Sequence, residues 1–236
     1  MNFKINYLVF WSNDCIFKCI YTSMDKYEQA LKYEIFKNKE YWFLDNIIKQ
    51  SNIVFDIWWH LGYFSEYCLE INQSLIIHFF EPVKESFEKA QNRINHMDIY
   101  WNNSAIMHKN GISEFFINSE KSMQSSFFNK NFLNPMWVQT NVIIQKLDEY
   151  IDNREIDRIN LMKIDIEWSE FDVIENMWNS HLNMIENICI EYHILDKSFQ
   201  KRLDIMIDKL NNIYRYLDII PNKYTDKIWY ILAKKQ

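Results

Sequence analysis

The stretch Asp56-Ile57-Trp58-Trp59-His60-Leu61-Gly62 is the strongest indicator of the fold. It follows an apolar run at residues 53–55 and precedes a predicted helix that begins at Tyr63. A strand, a tight turn and a helix are the arrangement in which backbone N–H groups and a helix N-terminus hold a nucleotide-like ligand. Such a turn favours glycine after the strand, because glycine adopts positive φ and allows close approach. Tryptophan meets neither requirement, yet the chain has 2 glycines and 9 tryptophans, where average usage predicts roughly 17 glycines.

Composition restricts the class of protein. The chain has 236 residues, of which 48% are hydrophobic and 25% charged, and these values are typical of one globular domain with a full core. The net charge of −6 argues against a nucleic-acid partner. The sequence has no apolar run of about 20 residues and no signal-peptide pattern, so we expect no membrane span and a cytoplasmic location. The four cysteines are too scattered for a disulfide framework, and no second pair follows Cys15 and Cys19 to complete a metal site.

Apolar periodicity predicts two regions. Residues 1–50 read as an N-terminal extension, with a β-hairpin formed by residues 7–10 and 15–21 and then one helix from Asp25 to about Gln50. Residues 51–236 alternate strands with helices, which indicates a mostly parallel sheet with right-handed crossovers. The predicted strands are 53–57, 75–80, 98–101, 160–166 and 185–191, and the predicted helices are 63–71, 83–95, 147–151, 170–178 and 197–212. Residues 112–117 and 138–144 are two further strands around a polar loop at 118–135, and residues 214–220 and 228–232 form a closing antiparallel hairpin.

Acidic residues lie near the ends of four predicted strands: Asp56, Glu81, Asp165 and Glu191. In an open parallel sheet, ligands bind beyond the carboxyl ends of the strands at the topological switch point. An acid at the end of the second strand can accept hydrogen bonds from both hydroxyls of a ribose, and Glu81 is placed for that role. The pair Glu81-Pro82 is equally typical of a strand that simply ends before a helix.

Lys163-Ile164-Asp165-Ile166-Glu167 places three charged groups at alternate positions of an otherwise apolar strand. Alternate residues point to the same side, and burial of three charges there is costly in a sheet covered on both faces. A strand-end or surface location would explain the pattern without function, but convergence beside the 58–62 loop favours a site. Glu191 and His193 form either an acid–base pair or a hydrogen-bonded pair at a strand end. The other histidines show no metal-ligand spacing, and no metal site is predicted.

Several of these residues form an ordered set that resembles a known family. The set comprises Asn52-Ile-Val-Phe-Asp-Ile57, Leu61-Gly-Tyr-Phe-Ser65, Phe80-Glu-Pro82, Asn103-Ser-Ala105 with Gly111, Leu147-Asp148, Met162-Lys-Ile-Asp-Ile-Glu167 with Glu170, and Ile190-Glu191. In order and spacing it resembles the FkbM family of S-adenosylmethionine-dependent methyltransferases over roughly residues 50–195. The resemblance implies a Rossmann-like class I methyltransferase fold: an α/β protein with a mostly parallel seven-stranded sheet and an antiparallel C-terminal hairpin. It also implies methyl transfer from S-adenosylmethionine to a hydroxyl of a sugar, glycan or polyketide-like small molecule.

The resemblance also implies roles for individual residues. Cofactor-binding positions would be Asp56, Trp58, Gly62, Glu81, Asn103, Ser104 and Asp165. Residues 103–105 would lie near the adenine, and Asp165 near the sulfonium and the acceptor. The base for the acceptor hydroxyl would be Asp165, Glu167 or His193, and the sequence does not choose among the three.

Two tryptophans depart from the family pattern, which has glycine at the positions of Trp58 and Trp168 and a small residue at Trp59. Asp56, Glu81 and Asp165 are nevertheless intact, whereas a protein that had lost its cofactor would drift there as well. One hypothesis is that UGA codons read as glycine in the cell have been translated here as tryptophan. The alternative is a catalytically inactive binding or assembly domain, with Trp58 or Trp59 filling the pocket beside Asp56 and Trp168 crowding the strand end. A nicotinamide oxidoreductase is a third interpretation, but even glycines at 58 and 59 leave the GxGxxG spacing imperfect.

Overall fold

The computed structural model describes residues 24–58, 61–118, 137–166, 169–193, 197–221 and 228–236. The predicted N-terminal hairpin, most of the predicted polar loop, and the positions of Trp59 and Trp168 lie outside the described residues. The side chain of Trp58 is also outside them. The predictions that tryptophans fill the pocket and crowd the strand end therefore stay predictions.

The segment before the first strand is helical but is not one helix. Helix α1 spans Met24–Phe36, a 3-10 turn spans Trp42–Leu44, and helix α2 spans Asp45–Gln50. The predicted continuous helix is wrong at residues 37–41, where the chain turns through Lys39 with φ of 50°. The N–H groups of Lys37 and Asn38 both donate to the Tyr33 carbonyl, which ends α1. The apolar side of this segment is buried in the same core as the sheet, through Leu31, Ile35, Tyr41, Leu44 and Ile48.

A seven-stranded sheet forms the centre of the fold, in the order β3-β2-β1-β7-β8-β10-β9. All neighbouring strands are parallel except β10, which runs antiparallel to both β8 and β9. The predicted mostly parallel sheet with an antiparallel C-terminal hairpin is confirmed. The strands are β1 Ile53–Trp58, β2 Ile76–Phe80, β3 Ile99–Asn102, β7 Ile159–Asp165, β8 Ile185–His193, β9 Tyr216–Pro221 and β10 Ile228–Lys234.

Helices connect the parallel strands and cover both faces of the sheet. They are α3 Tyr63–Ile71, α4 Lys84–Arg93, α5 Leu147–Asn153, α6 Glu170–Asn176, α7 Asn179–Leu182 and α8 Lys197–Asn211. The helix predicted at 170–178 ends at Asn176, and a second short helix follows it. No helix in the described ranges combines the length and the apolar character that crossing a membrane requires.

A second sheet of three strands follows β3, in the order β4-β6-β5. Strand β4 is Ala105–Met107, β5 is Gly111–Asn118 and β6 is Trp137–Lys146. The pairing of β5 with β6 agrees with the two predicted strands. Strand β4 was not predicted, because three residues are too few to show a period of two.

Alternate residues of the central strands enter two different cores. Phe55 and Ile57 of β1 belong to the core on one face, whereas Val54 belongs to the core that contains α1, α2 and α3. Asp56 has the same parity as Val54 and therefore points to this second face. Lys163 shares that parity with Leu161 of β7, which lies in the same core as Val54. The polar groups of the candidate site thus lie between the sheet and the helices that precede and follow β1.

Candidate cofactor and acceptor site

The site lies at the carboxyl ends of β1 and β7. The chain order reverses between these two strands, since β2 and β3 extend to one side of β1 and β8, β10 and β9 to the other side of β7. This is the topological switch point, where ligands bind in open α/β sheets. Asp56 pairs in register with Lys163, and Trp58 with Asp165. The strand order therefore brings together acids that are more than 100 residues apart in sequence.

Asp56 is completely buried at the end of β1. Its Oδ2 atom accepts hydrogen bonds from the Ser65 N–H at 3.1 Å and from the Ser65 hydroxyl. Its Oδ1 atom has no hydrogen-bond partner among the described residues. Burial raises the pKa of Asp56 to about 6, with the nearby Asp165 charge adding to the rise and with Lys163 and the Ser65 hydrogen bonds opposing it.

Glu81 is also completely buried, directly after β2. Its Oε1 atom accepts the Val83 N–H at 2.7 Å, whereas Oε2 has no hydrogen-bond partner in the described part of the chain. Burial raises the pKa of Glu81 well above its ordinary value, and the Asp56 charge raises it further against the opposing Val83 hydrogen bond. The contact with Val83 agrees with a strand-to-helix turn, but the second buried oxygen is not explained by a turn.

Asn103 and Ser104 follow β3 beside the Glu81 turn. The Asn103 side-chain amide donates to the Glu81 carbonyl at 2.8 Å and to the Pro82 carbonyl at 3.1 Å. The buried Ser104 hydroxyl accepts a hydrogen bond from the Gln145 side chain, which belongs to β6. Asn103 thus joins the ends of β2 and β3, and Ser104 joins the central sheet to the second sheet.

Gly62 precedes α3 with φ of 73°, a left-handed conformation that side chains rarely adopt. A Cβ atom on Gly62 would lie 3.1 Å from Phe79, 3.2 Å from Ala90 and 3.3 Å from Ile94. Glycine is therefore required for close packing of the turn against β2 and the end of α4. This is a structural reason for Gly62, and its predicted contact with the cofactor stays a prediction.

Lys163 and Asp165 form a buried ion pair on β7. Lys163 is fully buried, and its Nζ atom lies 3.0 Å from Oδ2 of Asp165. The ammonium group also lies 5.2 Å from the centre of the Tyr41 ring and 5.5 Å from that of Phe64. The charges predicted to share one side of the strand do share it at 163 and 165. Glu167, the third, is outside the described residues.

Residues of β8 and β10 continue the polar surface. The Tyr41 hydroxyl donates to Glu191 at 3.4 Å, and the Tyr230 hydroxyl donates to Glu40 at 2.5 Å. Burial raises the pKa of Tyr41 well above its ordinary value, helped by Tyr230 and the neighbouring acids. His193 ends β8, but its side chain is outside the described residues, so its predicted pairing with Glu191 is untested. No group of three or more potential metal ligands occurs in the described ranges.

Two residues of this site had no role in the sequence-based prediction. Ser65 was part of the family resemblance, but nothing in the sequence showed that it binds Asp56. Tyr41 lies in the predicted extension, where no periodicity or motif indicated proximity to Asp165. Only the packing of residues 37–44 against the sheet brings Tyr41 there.

The strand order, the antiparallel β10 and the carboxylates at the ends of β1, β2 and β7 together define a class I methyltransferase. The chain belongs to the FkbM methyltransferase family, whose domain model matches residues 59–223. The family and fold predicted from the sequence are confirmed, and so is S-adenosylmethionine as the cofactor of this class. The match begins after Asp56, so the prediction that Asp56 binds the cofactor rests on its position in the sheet.

Several solved structures are similar to this chain. A putative rRNA methylase from Clostridium thermocellum has a TM-score of 0.50 and 9% identity, over 84% of this chain and 96% of that one. A SAM-dependent methyltransferase from Agrobacterium tumefaciens has a TM-score of 0.49 and 9% identity, over 85% of this chain, which spans 62% of that protein. A putative caffeoyl-CoA O-methyltransferase from Staphylococcus aureus has a TM-score of 0.47 and 10% identity, over 99% of this chain and 100% of that one. The likeness to the Clostridium thermocellum protein, at 9% identity, shows the fold alone. No curated protein matches the sequence.

The residues present fit the cofactor. Asp56 and Glu81 each have one buried oxygen with a partner and one without a hydrogen bond to any described residue. A buried carboxylate oxygen without a partner is costly, and a ligand that donates hydrogen bonds removes that cost. The ribose hydroxyls and the ammonium group of S-adenosylmethionine are such donors.

Proposed function

We propose that this protein transfers a methyl group from S-adenosylmethionine to a hydroxyl of a sugar, glycan or polyketide-like small molecule. The observation that carries the proposal is the pair of buried, half-satisfied carboxylates, Asp56 and Glu81, on adjacent strands at the switch point. A domain that served only in assembly would not require two buried carboxylates with unpaired oxygens.

In this proposal, Glu81 accepts hydrogen bonds from the ribose, and Asp56 with the 58–62 loop holds the amino-acid end. Residues 103–105 border the adenine, and the Asn103 bonds to residues 81 and 82 keep that border in place. When bound, S-adenosylmethionine supplies an electrophilic methyl group on a sulfonium centre. The remaining work of the chain is to position the acceptor and to exclude water.

Asp165 is the preferred base among the three predicted candidates. Its side chain lies at the end of β7 and retains 8% exposure, whereas Lys163 on the same side of the strand is fully buried. Its Oδ2 atom is held by Lys163, which fixes the orientation of the carboxylate. As the base, Asp165 would accept the proton that the acceptor hydroxyl loses on methylation, and S-adenosylhomocysteine would leave as the neutral thioether product. Glu167 and His193 remain candidates on the sequence alone.

Calorimetry with S-adenosylmethionine and S-adenosylhomocysteine tests the cofactor. The chain as written is compared with a variant in which Trp58, Trp59 and Trp168 are changed to glycine. We expect the glycine variant to bind both. Tight binding of NAD, without binding of S-adenosylmethionine or S-adenosylhomocysteine, would overturn the proposal.

A screen with methyl-labelled cofactor against sugars, glycans and polyketide-like hydroxyl compounds tests the acceptor. We expect label in one of these classes, and in Asp165→Asn a loss of transfer much larger than any loss of cofactor affinity. Cofactor binding by a glycine variant that labels no acceptor would favour the alternative of a binding domain.

A further inference from the structure

Lys163 is an unusual residue for the middle of a parallel strand. Its side chain is fully buried, between the sheet and the helices on the α1–α3 face. Removing an ammonium group from water costs on the order of several kcal/mol unless opposite charges and hydrogen bonds compensate for the lost hydration. Asp165 supplies one such charge at 3.0 Å, and Asp56 lies beside Lys163 in register on β1.

Lys163 differs from the lysine of an ordinary structural ion pair because it lies between two acids, Asp56 and Asp165. Asp56 belongs to the cofactor side of the site, and Asp165 to the acceptor side. The electrostatic influence of Lys163 on Asp56 is the largest effect that opposes burial, and Asp165 acts on Asp56 in the other direction. Three groups on two adjacent strands are therefore linked through one ammonium group.

Other titratable groups face Lys163 from each neighbouring element. Strand β8 presents Cys189, in register with Lys163, and Glu191. The segment before α2 presents Glu40 and Tyr41, α3 presents Cys68, and β10 presents Tyr230. Burial raises the pKa of both thiols and both phenols, so these four groups are neutral at physiological pH. Among the acids on these strands, Asp165 lies 3.0 Å from the ammonium group, Asp56 lies in register with Lys163, and Glu191 accepts the Tyr41 hydroxyl.

We propose that Lys163 is a positioning residue, whose ammonium group is the shared counter-charge that keeps the cofactor-side Asp56 and the acceptor-side Asp165 ionised and aligned. The assignment of the two sides rests on the proposed function, but the electrostatic link itself needs no ligand. Without the ammonium group, two carboxylates would adjoin each other in a buried site, and one of them would take up a proton.

Carboxyl titration by NMR, with ¹³C-labelled aspartate, tests the link without cofactor or acceptor. In Lys163→Met we expect the apparent pKa of Asp56 to rise by about one to three pH units. Lys163→Arg retains the charge and should restore the original titration. Lys84→Met removes an exposed lysine and should leave the Asp56 titration unchanged. Identical titrations in the original chain and in Lys163→Met would overturn the proposal.

Calorimetry in buffers of different ionisation enthalpy adds a functional readout. In the glycine variant with Lys163 intact, we expect almost no proton release when S-adenosylmethionine binds near neutral pH. With Lys163→Met added, the cationic sulfonium favours the ionised pair, so proton release should rise toward one per site. S-adenosylhomocysteine carries no sulfonium charge and should release fewer protons. Equal proton release with and without Lys163 would contradict the proposed role.

A double variant keeps the test decisive if Lys163→Met folds poorly. Lys163→Met with Asp165→Asn removes one charge of each sign, and we expect it to recover stability in urea relative to Lys163→Met alone. Asp56 should still titrate at a higher pH in the double variant than in Asp165→Asn, and an unchanged Asp56 would refute the link. A shifted titration in a chain that binds no cofactor would instead refute the proposed function and leave the link standing.

Discussion

Two hydrogen bonds from Ser65 end on one oxygen of Asp56, the Oδ2 atom, and join β1 to the first turn of α3. The N–H of Ser65 is one of the unpaired donors at the helix start, and the carboxylate also lies at the positive end of the helix dipole. Asp56 therefore fixes the first turn of α3 relative to the end of β1. The other oxygen, Oδ1, has no hydrogen-bond partner among the described residues.

The pH dependence of stability should reveal Asp56. Its pKa is raised to about 6 in the folded protein from an ordinary value of 3.8, so the folded state binds the proton more tightly. This contribution to stability is fully present below about pH 4 and is lost as the pH rises through about 6. Asp56→Asn retains an acceptor for Ser65 and removes the titration. As the pH rises from 4 to 7, we expect the free energy of unfolding of the variant to increase, relative to that of the original chain, by on the order of 2–3 kcal/mol. Urea unfolding across this pH range measures the free energy of unfolding, and Asp98→Asn, at an exposed site, is the control.

Glu81→Gln should weaken cofactor binding. Glutamine preserves the volume and can still accept the Val83 N–H. Its amide places a donor where a ribose hydroxyl requires an acceptor, so we expect affinity for S-adenosylhomocysteine to fall about ten- to a hundredfold. Calorimetry on the glycine variant measures the change, with Glu85→Gln at an exposed position of α4 as the control. Unchanged affinity would remove Glu81 from the site.

Gly62→Ala should destabilise the fold. The left-handed backbone costs an alanine roughly 1–2 kcal/mol, and its Cβ would press on Phe79, Ala90 and Ile94 at 3.1–3.3 Å. Overpacking of this kind adds about 1–3 kcal/mol. Gly111→Ala is a matched control, because Gly111 also has positive φ, 143°, but nothing lies within 4 Å of its Cβ position. Denaturant midpoints should show the larger loss at Gly62, and equal losses would mean that the close approach is unimportant.

Glycine at positions 58 and 168 should improve cofactor affinity. Trp58 ends β1 and does not have positive φ, so backbone strain is not the reason. We expect the gain because glycine removes an indole that would compete for the space beside Asp56. We expect Trp58→Gly with Trp168→Gly to bind S-adenosylhomocysteine at least about tenfold more tightly. Trp178→Gly is the control, since Trp178 is half exposed and packs beside Lys146. Codons at positions 58 and 168 give an independent test: UGA supports recoding as glycine, and UGG at both excludes it.

Asp148→Ala should reduce stability without changing cofactor affinity. The buried carboxylate accepts the Trp178 N–H at 2.8 Å and lies 3.0 Å from His181 Nδ1. Removing the carboxylate leaves the Trp178 N–H without this acceptor, and such a loss costs about 1–3 kcal/mol. The exposed neighbour Glu149 provides the control variant Glu149→Ala. Thermal unfolding and calorimetry together would show whether Asp148, part of the family resemblance, is structural; a loss of affinity would place it in the site.

Helix and strand positions were largely predictable because they depend on local periodicity. Helix α3 begins and ends where the sequence predicted, at Tyr63 and Ile71. The break between α1 and α2 was missed, since residues 37–41 contain neither glycine nor proline and Lys39 adopts positive φ. Strand β4 was missed because pairing with β6, not its own sequence, makes it a strand.

The sequence by itself determined the alternation of strands and helices, and therefore a parallel sheet with acids at its carboxyl edge. Only the tertiary structure decided which of those acids meet. Asp56 lies beside Lys163 because β1 pairs with β7, and Glu191 contacts Tyr41 because residues 37–44 cover that face. These contacts join residues more than 100 positions apart, and no local pattern encodes strand order or register. The burial that leaves oxygens of Asp56 and Glu81 without hydrogen-bond partners in the described chain likewise arises only when both faces of the sheet are covered.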